Sequence, residues 1–190
     1  MTRLILASAS PRRRELLARC GFDFTVAPVP AEELTDLADL RLLPEENARR
    51  KADAAADAYP DALVVGADTL VLCDGRALGK PADLSDAARM LRELAGRTHE
   101  VVTGVALRCR ARELAERWSV VSEVVFKPLS DADIAAYLRL VPVLDKAGAY
   151  AIQDHGEMLV ARFTGELENI IGLPLERLVR RLRELIAAGR

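Results

Sequence analysis

Aromatic residues are scarce: phenylalanine, tryptophan and tyrosine together make up 4% of the chain, which leaves little with which to stack exposed bases. Neither sign of charge is in excess. Lysine and arginine number 27 against 29 aspartate and glutamate, a formal net charge of −2, so no global positive field would draw the protein onto nucleic acid or an anionic membrane. Any anion binding must be local. The three cysteines, Cys20, Cys73 and Cys109, are odd in number and far apart, which suits neither a disulfide framework nor a zinc motif. His99 and His155 share no metal-ligand spacing with each other or with the cysteines. No apolar run approaches the roughly 20 residues of a membrane span, and Leu4 to Ala7 is too short for the core of a signal peptide. The expectation is a reduced, cytoplasmic location. A Gly-x-Gly-x-x-Gly fingerprint and a Walker sequence are both missing, which removes the usual dinucleotide and P-loop readings.

What remains is ordinary globular material, with 51% hydrophobic residues in 190. That suffices for a buried core and one domain over residues 1–190, or two small lobes around a cleft. Strand and helix signals alternate. Leu4 to Ala7 reads as a strand, and Leu16, Leu17 and Cys20 recur at helical spacing up to Gly21. Phe22 to Ala27 alternates like a strand, and the acidic stretch Pro28 to Asp39 reads as an exposed loop. Pro44 opens an alanine-rich helix that ends at Tyr59-Pro60-Asp61. Leu63-Val64-Val65 is a buried strand that should deliver Asp68 near its carboxyl end, and Asp74-Gly75 is a hairpin signal. Ser85 is the expected cap of a helix through Met90 and Leu94 to Gly96. Val101 to Cys109 and Trp118 to Phe126 suit a hairpin. Ser130 and Asp133 form a capping-box-like start for Asp131 to Leu140. Met158 to Phe163 is the strand candidate in a glycine-punctuated segment, and Leu175 to Ile186 is an amphipathic helix whose arginines lie off its apolar face. The sum is an α/β fold with a sheet flanked by helices.

Three clusters carry candidate chemistry. In the first, Ser10 caps a helix with Pro11 at its first position, leaving backbone N–H groups and a positive dipole end for an anion. Ser8 precedes it, and Arg12, Arg13 and Arg14 follow within the first turn, where cations oppose the dipole unless an anion compensates. Arginine suits phosphate because its planar fork donates two hydrogen bonds at once. The same residues would also serve as a plain helix cap with solvated arginines.

The second cluster centres on Asp68 and Thr69 in Gly66-Ala67-Asp68-Thr69. Ligands in α/β sheets bind at the carboxyl ends of strands, and hydrolysis of a phosphoanhydride needs a base for water together with cations for the phosphates. Asp68 is the candidate base, and Lys80 and Lys51 are candidate cations. Glu33 is the candidate partner of Asp68 around Mg²⁺, a hard ion that prefers oxygen ligands. Turn formation by Asp68 and simple solvation of Glu33 are the alternatives.

In the third cluster, Asp145-Lys146-Ala147-Gly148-Ala149-Tyr150-Ala151-Ile152-Gln153 joins a charge pair, a glycine and an amide. Gln153 presents a donor beside an acceptor, the complement of a pyrimidine's imide edge, and would equally suit a loop glutamine bonded to backbone.

Taken together, Ser8-Ala9-Ser10-Pro11-Arg12-Arg13, Ala67-Asp68-Thr69, Gly79-Lys80-Pro81, Asp145-Lys146-Ala147-Gly148-Ala149-Tyr150 and Ile171-Gly172-Leu173-Pro174 occur in the order and spacing of the Maf family. The chain resembles that family over nearly its whole length. The resemblance implies an inosine triphosphate pyrophosphatase-like fold, a mixed twisted sheet with two lobes around a cleft, and a homodimer. It further implies a divalent metal, Mg²⁺ or Mn²⁺, and release of pyrophosphate from a nucleoside triphosphate by attack of water near the α-phosphate. Asp68 matches the family's proton acceptor, and the residue chemistry above makes Asp68 and Glu33 the candidate metal ligands. Arg12, Thr69 and Gln153 match the positions linked to base choice. Ser8, Arg13, Glu33, Lys51 and Lys80 match the polar lining of the pocket, to which Ser10 and Lys146 are added from the motifs themselves. The Ala-Gly-Ala-Tyr-x-Ile-Gln form resembles the dTTP/UTP branch, and the expected role is to clear or edit nucleotides, modified pyrimidines among them. Ala151 and Asp154-His155 depart from the glycines common there. A nucleotide-binding regulator of septum formation is the other class of function attached to the family.

Overall fold

Leu4, Ile5 and Leu6 are all buried, and in the computed structural model, which describes residues 3–188, they form β1 (Leu4–Leu6). This strand lies between β2 (Thr25–Val26) and β3 (Leu63–Cys73), parallel to both, with Leu6 opposite Val26 and Val65. A strand buried on both faces needs a continuous apolar run, which is what the sequence supplies. The sheet order is β2-β1-β3-β5-β6-β7, with β5 (Thr98–Cys109), β6 (Leu114–Phe126) and β7 (Val160–Thr164), while β4 (Arg76–Leu78) pairs antiparallel with β3. Asp74 and Gly75, at φ 48° and 73°, make the turn between β3 and β4, as a two-residue hairpin requires. Helices α1 (Pro11–Arg19), α2 (Leu43–Ala58), α3 (Leu84–Leu94), α4 (Asp131–Leu140), α5 (Leu167–Ile171) and α6 (Leu175–Ala188) accompany the mixed sheet, giving the expected α/β class.

The expected elements appear; strand ends move by a few residues, as at β7, which starts at Val160 and not at Met158, and four other differences stand out. The second strand is only Thr25–Val26, a two-residue edge. Helix α3 is capped by Asp83, whose carboxylate accepts from the Asp86 amide, and Ser85 lies inside the helix. Aspartate is as good a cap as serine, so composition could not choose between them. Helix α5 has only five residues, too few to show a helical period. Asp68 sits in the middle of β3, five residues before its end, because the strand runs on past its parallel partner to pair with β4. The Ser130–Asp133 capping box at α4 is present with both of its bonds. No helix among the described residues is long and apolar enough to cross a membrane.

The described chain divides into two compact units, one drawn from residues 3–68, 103–120 and 172–188, the other from 69–102 and 121–171. In the first, Ile5, Ala7, Val64 and Ala106 pack against Ala48, Ala52, Ala55 and Ala56 of α2. Alanines let the helix lie close on the sheet, and two glycines bring it closer. A Cβ on Gly66 would stand 2.3 Å from the Ala48 carbonyl oxygen, and one on Gly104 would stand 2.3 Å from the Pro44 carbonyl. Any side chain at either position would push α2 off the strands. In the second unit, Leu91, Leu94, Phe126, Ile134, Tyr137 and Leu159 form an aliphatic and aromatic core.

Candidate active site

The close seat of α2 on β3 determines which side chains meet. Asn47 and Lys51 are four residues apart, so they share one helix face, and that face lies over Asp68. The Lys51 ammonium donates to Asp68 Oδ1 at 2.7 Å and lies 2.9 Å from Glu33 Oε1. Asn47, buried at 3% exposure, donates to Asp68 Oδ2 at 3.4 Å. Its amide also grips the main chain of the loop carrying Glu33: Leu34 N donates to Oδ1 at 2.8 Å, and Nδ2 donates to Leu34 O at 3.0 Å. Residues 27–37 have no regular structure, so Glu33 is held beside Asp68 by this two-point clamp and the Lys51 bridge, with Arg50 donating to the Glu32 carbonyl at 3.4 Å.

The loop after β1 supplies the cations. The Ala7 amide donates to Val65 O at 2.8 Å, which lays the Ser8–Ser10 segment alongside the stretch of β3 leading to Asp68. Ser10 caps α1 by accepting from Arg13 N at 3.5 Å, with Pro11 in the first turn. Ser8, buried, accepts from Ser10 N at 3.3 Å and from a terminal nitrogen of Arg13 at 3.2 Å. Arg13 Nε donates to the Gly172 carbonyl at 2.8 Å. Gly172 has φ +123°, a conformation open to glycine, and its carbonyl gives the Ile171-Gly172-Leu173-Pro174 motif a concrete role. Burial lowers the Arg13 pKa, the charges of Asp68 and Glu33 raise it, and that of Arg12 lowers it further. Arg12, Glu33 and Asp68 therefore all act electrostatically on Arg13, with two guanidinium groups at a helix start that has no acidic residue in its first turn. An anion held there would relieve both the like charges and the opposed dipole.

The first unit thus brings together Ser8, Ser10, Arg12, Arg13, Glu33, Lys51 and Asp68. Thr69, Lys80, Lys146 and Gln153 belong to the second. Thr69 follows Asp68 in β3, half-buried, and points to the opposite face of the strand. Lys80 is exposed in a loop whose Gly79 carbonyl accepts from Gly148 N at 3.0 Å, which sets it against the 145–150 turn. Lys146 is buried, its ammonium held by the Pro142 carbonyl and, at 2.7 Å, by Asp145 Oδ1, so its charge braces the turn from within. Gly148 and Ala149 both have left-handed backbones, φ 68° and 59°, and a Cβ on Gly148 would come within 3.1 Å of Val71. Gln153 is exposed, next to Ile152, which packs into the core.

Three residues that the motifs did not mark shape these groups. Asn47 could have been found from its i, i+4 spacing to Lys51. Tyr137 of α4 fastens Ala151, its hydroxyl accepting from Ala151 N at 3.0 Å. His99, 2% exposed, shares a 2.9 Å hydrogen bond with the Tyr150 hydroxyl and stacks edge-on with Phe126 and Tyr150. Burial brings its pKa down to about 4, so it is a neutral internal brace. Nothing in the sequence links positions 99, 137 and 150, which meet only in the packed core.

Donor chemistry at Asp68 and Glu33 suits a hard divalent cation: the two carboxylates already share one cation, the Lys51 ammonium. No group of three or more His, Cys, Asp or Glu side chains able to hold a metal occurs among the described residues. Further ligands would be water and phosphate oxygens, the company Mg²⁺ prefers.

Comparison with known proteins identifies relatives and the family. The chain is 45% identical over 186 residues to a protein of Akkermansia muciniphila named dTTP/UTP pyrophosphatase, with 96% of each chain covered. It is 47% identical over 190 residues to one of Geobacter sulfurreducens with the same name, again at 96% of each chain. One from Moorella thermoacetica is 49% identical over 180 residues, covering 92% of this chain and 91% of that protein. In fold it is similar to the structure of the Staphylococcus aureus Ham1 protein, at a TM-score of 0.58 and 16% identity, covering 96% of this chain and 99% of that one. The model of the Maf-like protein family matches residues 3–185, and this chain belongs to the Maf family.

Proposed function

We propose that the protein hydrolyses dTTP and UTP, with modified pyrimidine nucleotides among its substrates, to the monophosphate and pyrophosphate. The observation that carries this reading is the Asp68–Lys51–Glu33 assembly, with Arg13 in its electrostatic reach and Arg12 in that of Arg13, in a chain 45–49% identical to relatives named for that reaction. Their names favour a hydrolase over a nucleotide-sensing regulator of septum formation.

Water attacks the α-phosphorus, the bond to the bridging oxygen breaks, and the proton passes to Asp68. Asp68 has room to accept it, since a carboxylate offers about four lone-pair sites, of which Lys51 and Asn47 occupy two. Arg12, Arg13 and Lys51 neutralise the triphosphate, and Lys80 adds a further cation. Ser8, and Ser10 with the α1 start, present hydroxyl and backbone donors to phosphate oxygens. A divalent cation held by Asp68 and Glu33 would polarise a phosphoryl oxygen and offset charge on the leaving group. Gln153 reads the imide edge of thymine or uracil, with Thr69 completing base choice. Lys146 serves by bracing the turn at Asp145 that precedes Gln153 in the chain. The working form is a homodimer in the cytoplasm.

Incubation of the protein with dTTP or UTP and Mg²⁺ or Mn²⁺ tests the reaction, with release of pyrophosphate expected. Release of orthophosphate alone would overturn it. A panel of canonical and modified triphosphates under the same assay tests the preference for pyrimidines.

A further inference from the structure

Lys51 makes an arrangement that a simple phosphate-binding lysine does not need. Its ammonium is shared between the two carboxylates read above as the cation's ligands, 2.7 Å from Asp68 Oδ1 and 2.9 Å from Glu33 Oε1. Two of its three donors are spent there. We infer that Lys51 and the divalent cation compete for the same carboxylate pair, so that metal entry releases the Lys51 ammonium to the phosphates of the nucleotide.

The parts of the site differ in mobility in the way such an exchange needs. Asp68 is fixed by its place inside β3, and Asn47 is fixed by its face of α2, which Gly66 seats directly on the strand. Lys51 hangs on four flexible carbons. Glu33 lies on an irregular loop and is 54% exposed, against 17% for Asp68. A dication at the two carboxylates and an ammonium bridging the same two carboxylates repel each other strongly in a partly desolvated site, and the lysine is the group free to swing away. The nucleotide's phosphates then give the released ammonium a new anionic partner. Metal and nucleotide loading are thereby coupled, each removing an obstacle to the other. The ammonium also keeps Asp68 and Glu33, two like charges, together while no dication holds them.

This inference rests on the reading of Asp68 and Glu33 as the cation's ligands. Its test is Mn²⁺ binding to the nucleotide-free protein, followed by electron paramagnetic resonance and calorimetry, in wild type, Lys51→Met and Lys51→Met with Glu33→Gln. Lys51→Met keeps the stem and removes the competitor, so it should bind Mn²⁺ at least tenfold more tightly than wild type, and the second substitution should erase that gain. Equal or weaker binding by Lys51→Met overturns the inference. Should Lys51→Met not fold, a second readout does without it. The Lys51 ε-methylene resonance, observed by ¹H–¹³C correlation in lysine-labelled protein, should shift saturably as Mg²⁺ is added and stay still in Glu33→Gln. A resonance unmoved by Mg²⁺ in wild type overturns the inference too. Pyrophosphate release is scored separately: a wild-type protein that binds Mn²⁺ but releases none refutes the proposed reaction and leaves the measured competition standing.

Discussion

Replacing Asn47 by leucine would remove one amide and leave its shape, and the structure indicates what should follow. Two well-formed bonds to the Leu34 main chain, 2.8 and 3.0 Å, and a longer one of 3.4 Å to Asp68 would be lost. At about 0.5–1.5 kcal/mol for each of the two good bonds, the loop should lose roughly 1–3 kcal/mol of local stability. Water reaches this loop, so the lower half of that range applies, and local opening should dominate over global unfolding. Amide hydrogen exchange at Leu34 should accelerate by roughly 5–30-fold, while core amides in β3 keep their protection. Glu33 would be held beside Asp68 less firmly, chiefly by the Lys51 bridge, so the Mg²⁺ concentration for half-maximal turnover should rise more than the nucleotide KM. Asn47→Asp should be worse than Asn47→Leu. It keeps an acceptor for the Leu34 amide but sets a carboxylate against the Leu34 carbonyl and beside Asp68, a like-charge contact worth about 4 kcal/mol at 4 Å and an effective dielectric of 20. An Asn47→Leu protein with wild-type exchange at Leu34 and an unchanged Mg²⁺ requirement would refute the positioning role.

Asp68→Asn keeps the shape and an acceptor for Lys51 but gives up the base, so turnover should fall by about 10²–10⁴-fold with an unchanged thermal midpoint; a near-normal rate would remove Asp68 as proton acceptor. Gly66→Ala places a methyl 2.3 Å from the Ala48 carbonyl oxygen, which should cost about 1–3 kcal/mol in urea unfolding. By shifting α2 it should also lower pyrophosphate release by on the order of 10²-fold; wild-type values for both would show that the helix can retreat without moving Lys51. His99 has a folded pKa of about 4 against an ordinary 6.5, so only the unfolded chain takes up its proton between those values. Its contribution to stability is therefore complete above pH 6.5, falls by on the order of 3 kcal/mol as the pH drops to 4, and is level below that. His99→Gln should flatten this part of the urea-measured stability profile, and an unaltered slope would show that other groups set it.

Much of the fold can be read from local pattern because its causes are local. The apolar run of β1, the Ser10-Pro11 start of α1, Pro44 before an alanine-rich helix, Asp74-Gly75 and the Ser130–Asp133 box each act within a few residues. Where two local causes competed, as Asp83 and Ser85 did at α3, or where an element was too short to carry a period, as in α5, pattern did not decide. The extent of β3 was not legible either, since the strand is prolonged by pairing with β4, and Asp68 ends up inside it.

The candidate site divides along the same line. Residue types and spacing alone nominate an acid at Asp68, cations at Arg12, Arg13, Lys51 and Lys80, and an amide at Gln153, because each is chemistry that a single side chain brings with it. Tertiary structure decides which of these touch. It joins Lys51 to Glu33 and Asp68, ties Arg13 to Gly172 across 159 positions of chain, turns Lys146 inward onto Asp145, and introduces Asn47, Tyr137 and His99 as the groups that hold the others in place. The physical reason is distance: hydrogen bonds and ion pairs act over a few ångströms, and only tertiary packing brings remote positions that close, as where α2 seats on Gly66 and Gly104 and the strands carry no side chain.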